Sequence, residues 1–136
     1  MTYLDASVLT PLFVAEARSV EARDRIVGLS LVVSDLALAE VSSAIARRVR
    51  MGDIAASDAT AKLTKLDSWA AGAIMIENLN PTDFVSATAF VRRFELGLRT
   101  PDALHLAITQ RLGATLFTFD AKMAAAAATL GVAVAT

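Results

Sequence analysis

Short apolar runs alternate with longer helical stretches along this chain, and that alternation predicts its elements. Residues 2–4 read as a very short buried strand. Ser7 is placed to cap a helix running to about residue 17, with Pro11 tolerated in its first turn. A second helical segment covers residues 19–29, with Ile26 and Val27 as apolar contacts. Residues 31–33 are a second strand by composition, and Ser34 and Asp35 are N-cap candidates for a helix from 36 to about 51. Gly52 stops that helix and Asp53 caps the next, over 54 to about 71. The two make an αα-hairpin, with Val41, Ile45 and Val49 on one face of the first arm. Residues 73–76 read as a third strand. Asn80-Pro81-Thr82-Asp83 opens a helix that runs to about residue 96 and ends before Gly97. Thr100-Pro101-Asp102 repeats the start signal for a helix to residue 112, with Gly113 at its C′ position. Residues 115–119 form a strand, 121–130 a helix, and 132–134 a final edge strand after a turn at Gly131. Short strands alternating with helices predict an α/β fold with a parallel sheet.

Composition narrows this picture. A length of 136 residues suits one domain with one core, spanning 1–136. The chain is 55% hydrophobic, richer than the soluble average, and residues 124–128 are all alanine, a helix former. The surplus of apolar residues points to a face covered by a partner chain. No apolar run reaches the length of about 20 residues that spans a bilayer. Asp5 and the lack of a basic opening segment argue against a signal peptide, so a cytoplasmic protein without membrane contact is expected. The absence of cysteine excludes disulfides and thiolate metal sites. With 14 acids against 13 bases, the balance counts against tight non-specific nucleic-acid binding, but not against an enzyme that holds nucleic acid briefly. Ten of the thirteen bases are arginine, the side chain better suited to bidentate phosphate contact.

The candidate chemistry lies in four carboxylates. Asp5 closes the first apolar run, Glu40 sits one turn into a helix, Asp102 follows Pro101, and Asp120 ends the last long apolar run. In a parallel sheet the carboxyl ends of the strands face one common edge, where ligands bind. Acids gathered there would repel one another, by roughly 4 kcal/mol for a pair at 4 Å and an effective dielectric near 20. Such a cluster binds a cation, holds protons, or captures a basic side chain. Mg²⁺ and Mn²⁺ prefer oxygen ligands, and a metal there would assist phosphodiester hydrolysis. For Asp5, Asp102 and Asp120 taken singly, helix capping is the ordinary role. Glu40 is more telling, because its neighbours Leu36, Ala37, Leu38, Ala39, Val41 and Ala44 are apolar; it is either paired or liganded there, or simply faces solvent.

Four local segments, in order, resemble one family. Residues 3–9 (Tyr3, Leu4, Asp5, Ala6, Ser7, Val8, Leu9) look like the opening strand and turn of PIN domains. Residues 34–41, around Glu40, look like their strand-to-helix glutamate segment. Residues 100–107, around Asp102, and residues 116–120, ending in Asp120, are similar to their third and fourth acidic motifs. Order, spacing and length resemble the VapC-type toxins over the whole chain. The resemblance implies a three-layer α/β/α domain with a central parallel sheet of about five short strands. It implies Mg²⁺- or Mn²⁺-dependent cleavage of RNA. By the same match Asp5, Glu40 and Asp102 would be the main metal ligands and catalytic acids, and Asp120 an outer or second-metal ligand. Ser7 and Thr118 match polar positions that line the site. A homodimer, a small antitoxin that covers the cleft, and a larger toxin–antitoxin assembly are implied as partners beside the RNA.

Other residues leave alternatives open. His105 stands one turn after Asp102, where it either acts as a base or, more ordinarily, packs and hydrogen-bonds beside the helix. Arg47, Arg48 and Arg50 near a helix end either favour the helix dipole or form a phosphate-contacting rim. Arg92, Arg93 and Arg99 raise the same question, and Arg99 lies three residues before Asp102. Trp69 either stacks on a base or closes the αα-hairpin. A haloacid-dehalogenase-type phosphatase would need a second aspartate where this chain has Ser7, and a receiver domain would need an early acidic pair. Two rivals remain: a PIN nuclease of RNA processing outside any toxin system, and a non-catalytic module whose acids hold a basic partner segment.

Overall fold

The computed structural model describes residues 1–135, with Ala73 described by its backbone alone. Four short strands and seven helices alternate along it: β1 (Thr2–Leu4), α1 (Ala6–Phe13), α2 (Ser19–Ile26), β2 (Leu31–Ser34), α3 (Asp35–Arg50), α4 (Ala56–Ala73), β3 (Met75–Glu77), α5 (Pro81–Val91), α6 (Thr100–Leu112), β4 (Thr115–Phe117) and α7 (Ala121–Thr129). All strand pairs are parallel, in the order β3-β2-β1-β4. Tyr3 lies opposite Val32 on one side and Leu116 on the other.

The period of two along each strand splits the core into two layers. Leu4, Val33 and Phe117 point to one face, against Val8 and Leu9 of α1, Val41 and Ile45 of α3 and Leu66 of α4. Tyr3, Val32 and Leu116 point to the other, against Leu106 and Ile108 of α6 and Met123 and Ala127 of α7. Helix α5 packs on α6 through Ala87, Ala103, Leu104 and Ala107, whose small side chains let the two helices approach. The three-layer α/β/α fold is the expected one. Trp69 of α4 packs edge-on against Phe13 of α1 at 5.5 Å between ring centroids, so it ties the hairpin's second arm to the first helix.

Several boundaries differ, each for a local reason. The sheet has four strands, not about five: in the segment 132–134 a single parallel bridge joins Leu116 to Val134. The first helix ends at Phe13, because Val14 turns to extended backbone. Its N-cap is Asp5, which accepts from the Val8 N–H, and Ser7 sits inside the helix. The helix predicted over residues 80–96 stops at Val91 and gives way to a 3-10 turn, Phe94–Leu96, closed by Gly97 at φ 60°. The last strand ends at Phe117. Beyond it the Phe119 N–H donates to the Ser7 hydroxyl at 2.8 Å, so the side chain of α1 takes a donor that would otherwise continue the ladder.

The strand order fixes where a site belongs. From β1 the chain proceeds to β2 and β3 on one side, then crosses to place β4 on the other side of β1. Helices leaving β1 and β4 therefore diverge, and a crevice opens beyond the carboxyl ends of those two strands. Asp5 follows β1 directly and Thr118 follows β4.

Candidate active site

Asp5 is the best-enclosed acid of this crevice, 2% exposed. Its Oδ1 accepts from the Ser7 hydroxyl at 2.7 Å and from the Val8 N–H at 3.2 Å. Its Oδ2 accepts from the Thr118 hydroxyl at 2.7 Å, and Ser7 also approaches it at 3.0 Å. The two hydroxyls in turn accept backbone donors of the β4–α7 junction, Ser7 from Phe119 and Thr118 from the Asp120 N–H at 3.0 Å. This hydrogen-bonded clasp joins the ends of β1 and β4 and holds one carboxylate at their meeting point. Burial raises the pKa of Asp5 above the usual carboxylate range, while nearby His105, the Thr118 and Ser7 hydroxyls and the Val8 N–H pull it down.

Asp120 belongs to the same clasp through its backbone. Its side chain caps α7: Oδ1 accepts from Lys122 N–H at 2.7 Å and Met123 N–H at 3.0 Å. Oδ2 takes no donor among the described residues. Asp102 stands at the third position of α6, where Oδ2 accepts from the Arg99 N–H at 3.4 Å. The Arg99 side chain is 86% exposed and its Nε lies 3.8 Å from Asp102. All three aspartates therefore do act as caps, as the ordinary reading held; Asp120 joins the Asp5 clasp through its backbone, whereas no hydrogen bond or ion pair among the described residues links Asp102 to Asp5, Glu40 or Asp120.

Glu40 enters by a different route. It lies in the second turn of α3 and is 32% exposed. Its Oε2 is 2.6 Å from His105 Nε2, and the far ring nitrogen, Nδ1, is 2.6 Å from the Tyr3 hydroxyl. Tyr3 also meets the Ser34 hydroxyl at 2.6 Å, and Ser34 caps α3 by accepting from the Ala37 N–H. Burial holds the Tyr3 phenol neutral far above its ordinary pKa; the Ser34 hydrogen bond lowers it, and the charges of Asp5, Glu40 and Asp35 raise it further, so both Asp5 and Glu40 lie near this buried group. Residue-by-residue reading singled out His105 but missed Tyr3 and Ser34 as its partners. The signal was present: a tyrosine in a buried strand needs a partner for its hydroxyl.

Arg47 and Arg48 lie about two turns beyond Glu40 along α3. They line a cleft of about 350 Å³ with Glu16, Ala44, Met51 and Asp53. Arg48 pairs with Glu16 at 2.6 Å, so its charge is already answered, while Arg47 makes no ion pair among the described residues.

As donors for a cation the acids are suited in kind. Among the described residues no lysine or arginine pairs with Asp5, Glu40 or Asp120. Glu40, Asp102 and Asp120 each keep one carboxylate oxygen without a protein donor there. The side chains do not form a ready-made cage: among the described residues no three acids or histidines stand close enough together to hold an ion as placed. Mg²⁺ suits a loose set of this kind, because it takes one or two carboxylates and fills its remaining positions with water and phosphate oxygens.

Comparison with known proteins agrees with this architecture. No curated protein matches the chain. Among solved structures, the Mycobacterium tuberculosis VapC20 toxin, which cleaves the sarcin-ricin loop, superposes with a TM-score of 0.76 at 20% identity, covering 93% of this chain and 95% of that one. A toxin–antitoxin complex from Klebsiella pneumoniae gives 0.64 at 20% identity over 88% and 87% of the two chains. FitAcB from Neisseria gonorrhoeae gives 0.65 at 18% identity over 100% and 97%. At these identities the likeness is one of fold. The sequence itself matches the PIN domain over residues 2–129, nearly its whole length, and on that match the chain belongs to the PIN domain family.

Proposed function

We propose that this PIN domain is a metal-dependent endoribonuclease and the toxin of a toxin–antitoxin pair. The observation that carries the reading is the clasp at the strand-order switch point. A buried carboxylate, Asp5, is fixed by two hydroxyls, with no basic side chain paired to it among the described residues. Asp5, Glu40 and Asp102 would hold Mg²⁺, or Mn²⁺, and Asp120 would act as an outer or second-metal ligand. When bound, the ion supplies Lewis acidity at the phosphoryl oxygen, a more acidic water, and stabilisation of the leaving oxygen. Ser7 and Thr118 keep Asp5 in one orientation, since each donates to it while accepting from the backbone of the opposite strand end. Burial at the strand ends thins the water around the acids and strengthens every charge interaction there. Arg47 and the exposed Arg99 are our candidates for contact with RNA phosphates, and Arg48 only after release from Glu16.

The VapC20 toxin is described as cleaving the sarcin-ricin loop, and the Klebsiella structure as a toxin–antitoxin complex. By analogy we assign RNA as substrate, an antitoxin as partner, and a homodimer as the working unit. Among the described residues no helix is long and apolar enough to cross a membrane, which fits action on cytoplasmic RNA. One observation favours the rival binding module: the acids do not converge into a cage. Induced expression in cells separates the readings. Growth arrest with new, discrete RNA ends is expected, relieved when the neighbouring small gene is co-expressed. New RNA ends without arrest or relief would assign the chain to RNA processing. Normal growth and unchanged RNA ends would leave the binding module.

A further inference from the structure

We propose that His105 is a positioning residue for Glu40, itself oriented by Tyr3 and Ser34 through one buried hydrogen-bond chain. The proposal rests on the nuclease reading above. Four elements meet in the chain: Ser34 ends β2, Tyr3 lies in β1, His105 in α6 and Glu40 in α3. Three consecutive contacts of 2.6 Å link them. Tyr3, Ser34 and His105 are all buried, at 0%, 0% and 2% exposure.

Donor counting gives the chain a direction. A carboxylate oxygen only accepts, so His105 must carry a hydrogen on Nε2 to bond Glu40. With a neutral ring, Nδ1 is then an acceptor and takes the Tyr3 O–H. The Tyr3 oxygen accepts from the Ser34 O–H, and Ser34 accepts from the Ala37 N–H that it caps. Every donor and acceptor is used once, and no buried side-chain polar atom is left unsatisfied among the described residues. A histidine serving only the core would need no acid at the surface. Here its outward nitrogen reaches the one acid of the quartet that sits on a helix face rather than at a cap. Glutamate has three rotatable bonds, and Glu40 is about a third exposed, so without this contact its carboxylate would sample several positions. Fixing Oε2 leaves Oε1 free of any protein donor among the described residues.

Because the chain contains a single histidine, its ring ¹⁵N signals are unambiguous. Long-range ¹⁵N–¹H spectra of the full-length protein are expected to show one tautomer, protonated on Nε2, that shifts in Glu40→Gln and in Tyr3→Phe. Calorimetric titration with Mn²⁺ alone is expected to show about 10–100-fold weaker binding in His105→Leu, the usual cost of losing a partner behind a metal ligand. His105→Gln, whose amide donates near the place of Nε2, is expected to recover most of it. Thermal melting checks that each variant is folded, and if His105→Leu is not, Tyr3→Phe carries the test with a smaller loss. A ring signal averaged between tautomers, or unmoved by Glu40→Gln, overturns the proposal. So does a folded His105→Leu that binds Mn²⁺ as the parent does, and in that case the nuclease reading stands. Wild-type protein that binds Mn²⁺ no better than Asp5→Asn defeats the nuclease reading and the positioning role with it.

Discussion

Burial and charge oppose one another at Asp5. The folded protein raises the pKa of this carboxyl, so the folded state holds the proton more tightly than the unfolded chain. The stability that Asp5 contributes is then fully present below its unfolded value and is lost as pH rises through the raised folded value. At neutral pH the ionised group is a cost that metal-free protein carries. Asp5→Asn keeps an oxygen for the Val8 N–H and the Ser7 hydroxyl, while the Thr118 O–H, which the new NH₂ cannot accept, turns to Ser7, 3.2 Å away. In EDTA at neutral pH it is expected to melt higher than wild type. A gain on the order of 1 kcal/mol corresponds to about 2–8 °C, and the difference should close as pH is lowered into the carboxylate range. A lower melting temperature for Asp5→Asn at neutral pH would contradict this. Asp120 separates capping from chemistry. Asp120→Asn should keep its stability in urea unfolding, whereas Asp120→Ala should lose about 1 kcal/mol, the usual worth of a cap. Both should lose cleavage; full activity in Asp120→Asn would remove Asp120 from the site. Asp5, Asp102 and Asp120 stood out in the sequence because each ends an apolar run or opens a helix, and Glu40 because its neighbours are apolar. That Asp5, rather than Ser7, caps α1 was not legible, since both residue types cap and only the fold decides which one lies over the helix end.

At the scale of elements, the structure depends on one arginine that sequence reading passed over. Arg111, in the last turn of α6, makes a fork with Asp83 of α5, Nε to Oδ1 at 2.7 Å and Nη2 to Oδ2 at 2.9 Å. It also reaches Glu77 of β3 at 2.7 Å. Asp83 is 1% exposed and caps its own helix by accepting from the Asn80 N–H, so removing Arg111 strands a buried charge. The expected cost of Arg111→Met is about 2–4 kcal/mol, somewhat below the figure for a fully buried pair because Arg111 is partly exposed. Arg111→Lys should recover little, since lysine lacks the planar fork. Urea unfolding with an unchanged slope measures both, and a loss under about 0.5 kcal/mol, the scale of a surface pair, would show that the fork is not structural. Element types were legible from period and caps, as at Asn80-Pro81 and Thr100-Pro101. Boundaries were not, where tertiary partners captured backbone groups: Ser7 takes the Phe119 N–H and ends β4 two residues early.

At the scale of the molecule, alternating strands and helices foretold a parallel α/β sheet and the family resemblance its three layers, but neither gave the order of the strands. Three- and four-residue strands carry too little pattern to specify neighbours. The order β3-β2-β1-β4 comes from burial of both faces of β1 and β2. That order sets the ends of β1 and β4 side by side, where Asp5 and Thr118 meet and where we propose the site. The Arg47 and Arg99 candidates for RNA contact belong to the same scale, as does the Tyr3–His105 chain that ties α3 to α6 across the sheet. The central claim is that these acids cleave RNA with a metal. The most direct measurement is incubation of purified, antitoxin-free protein with total RNA and tRNA, in Mg²⁺, in Mn²⁺ and in EDTA, beside Asp5→Asn. Discrete cuts in either metal are expected, abolished by EDTA and reduced in Asp5→Asn by more than the about 10–100-fold that loss of an outer-shell partner costs. Intact RNA in both metals, or equal cutting by Asp5→Asn, would contradict it.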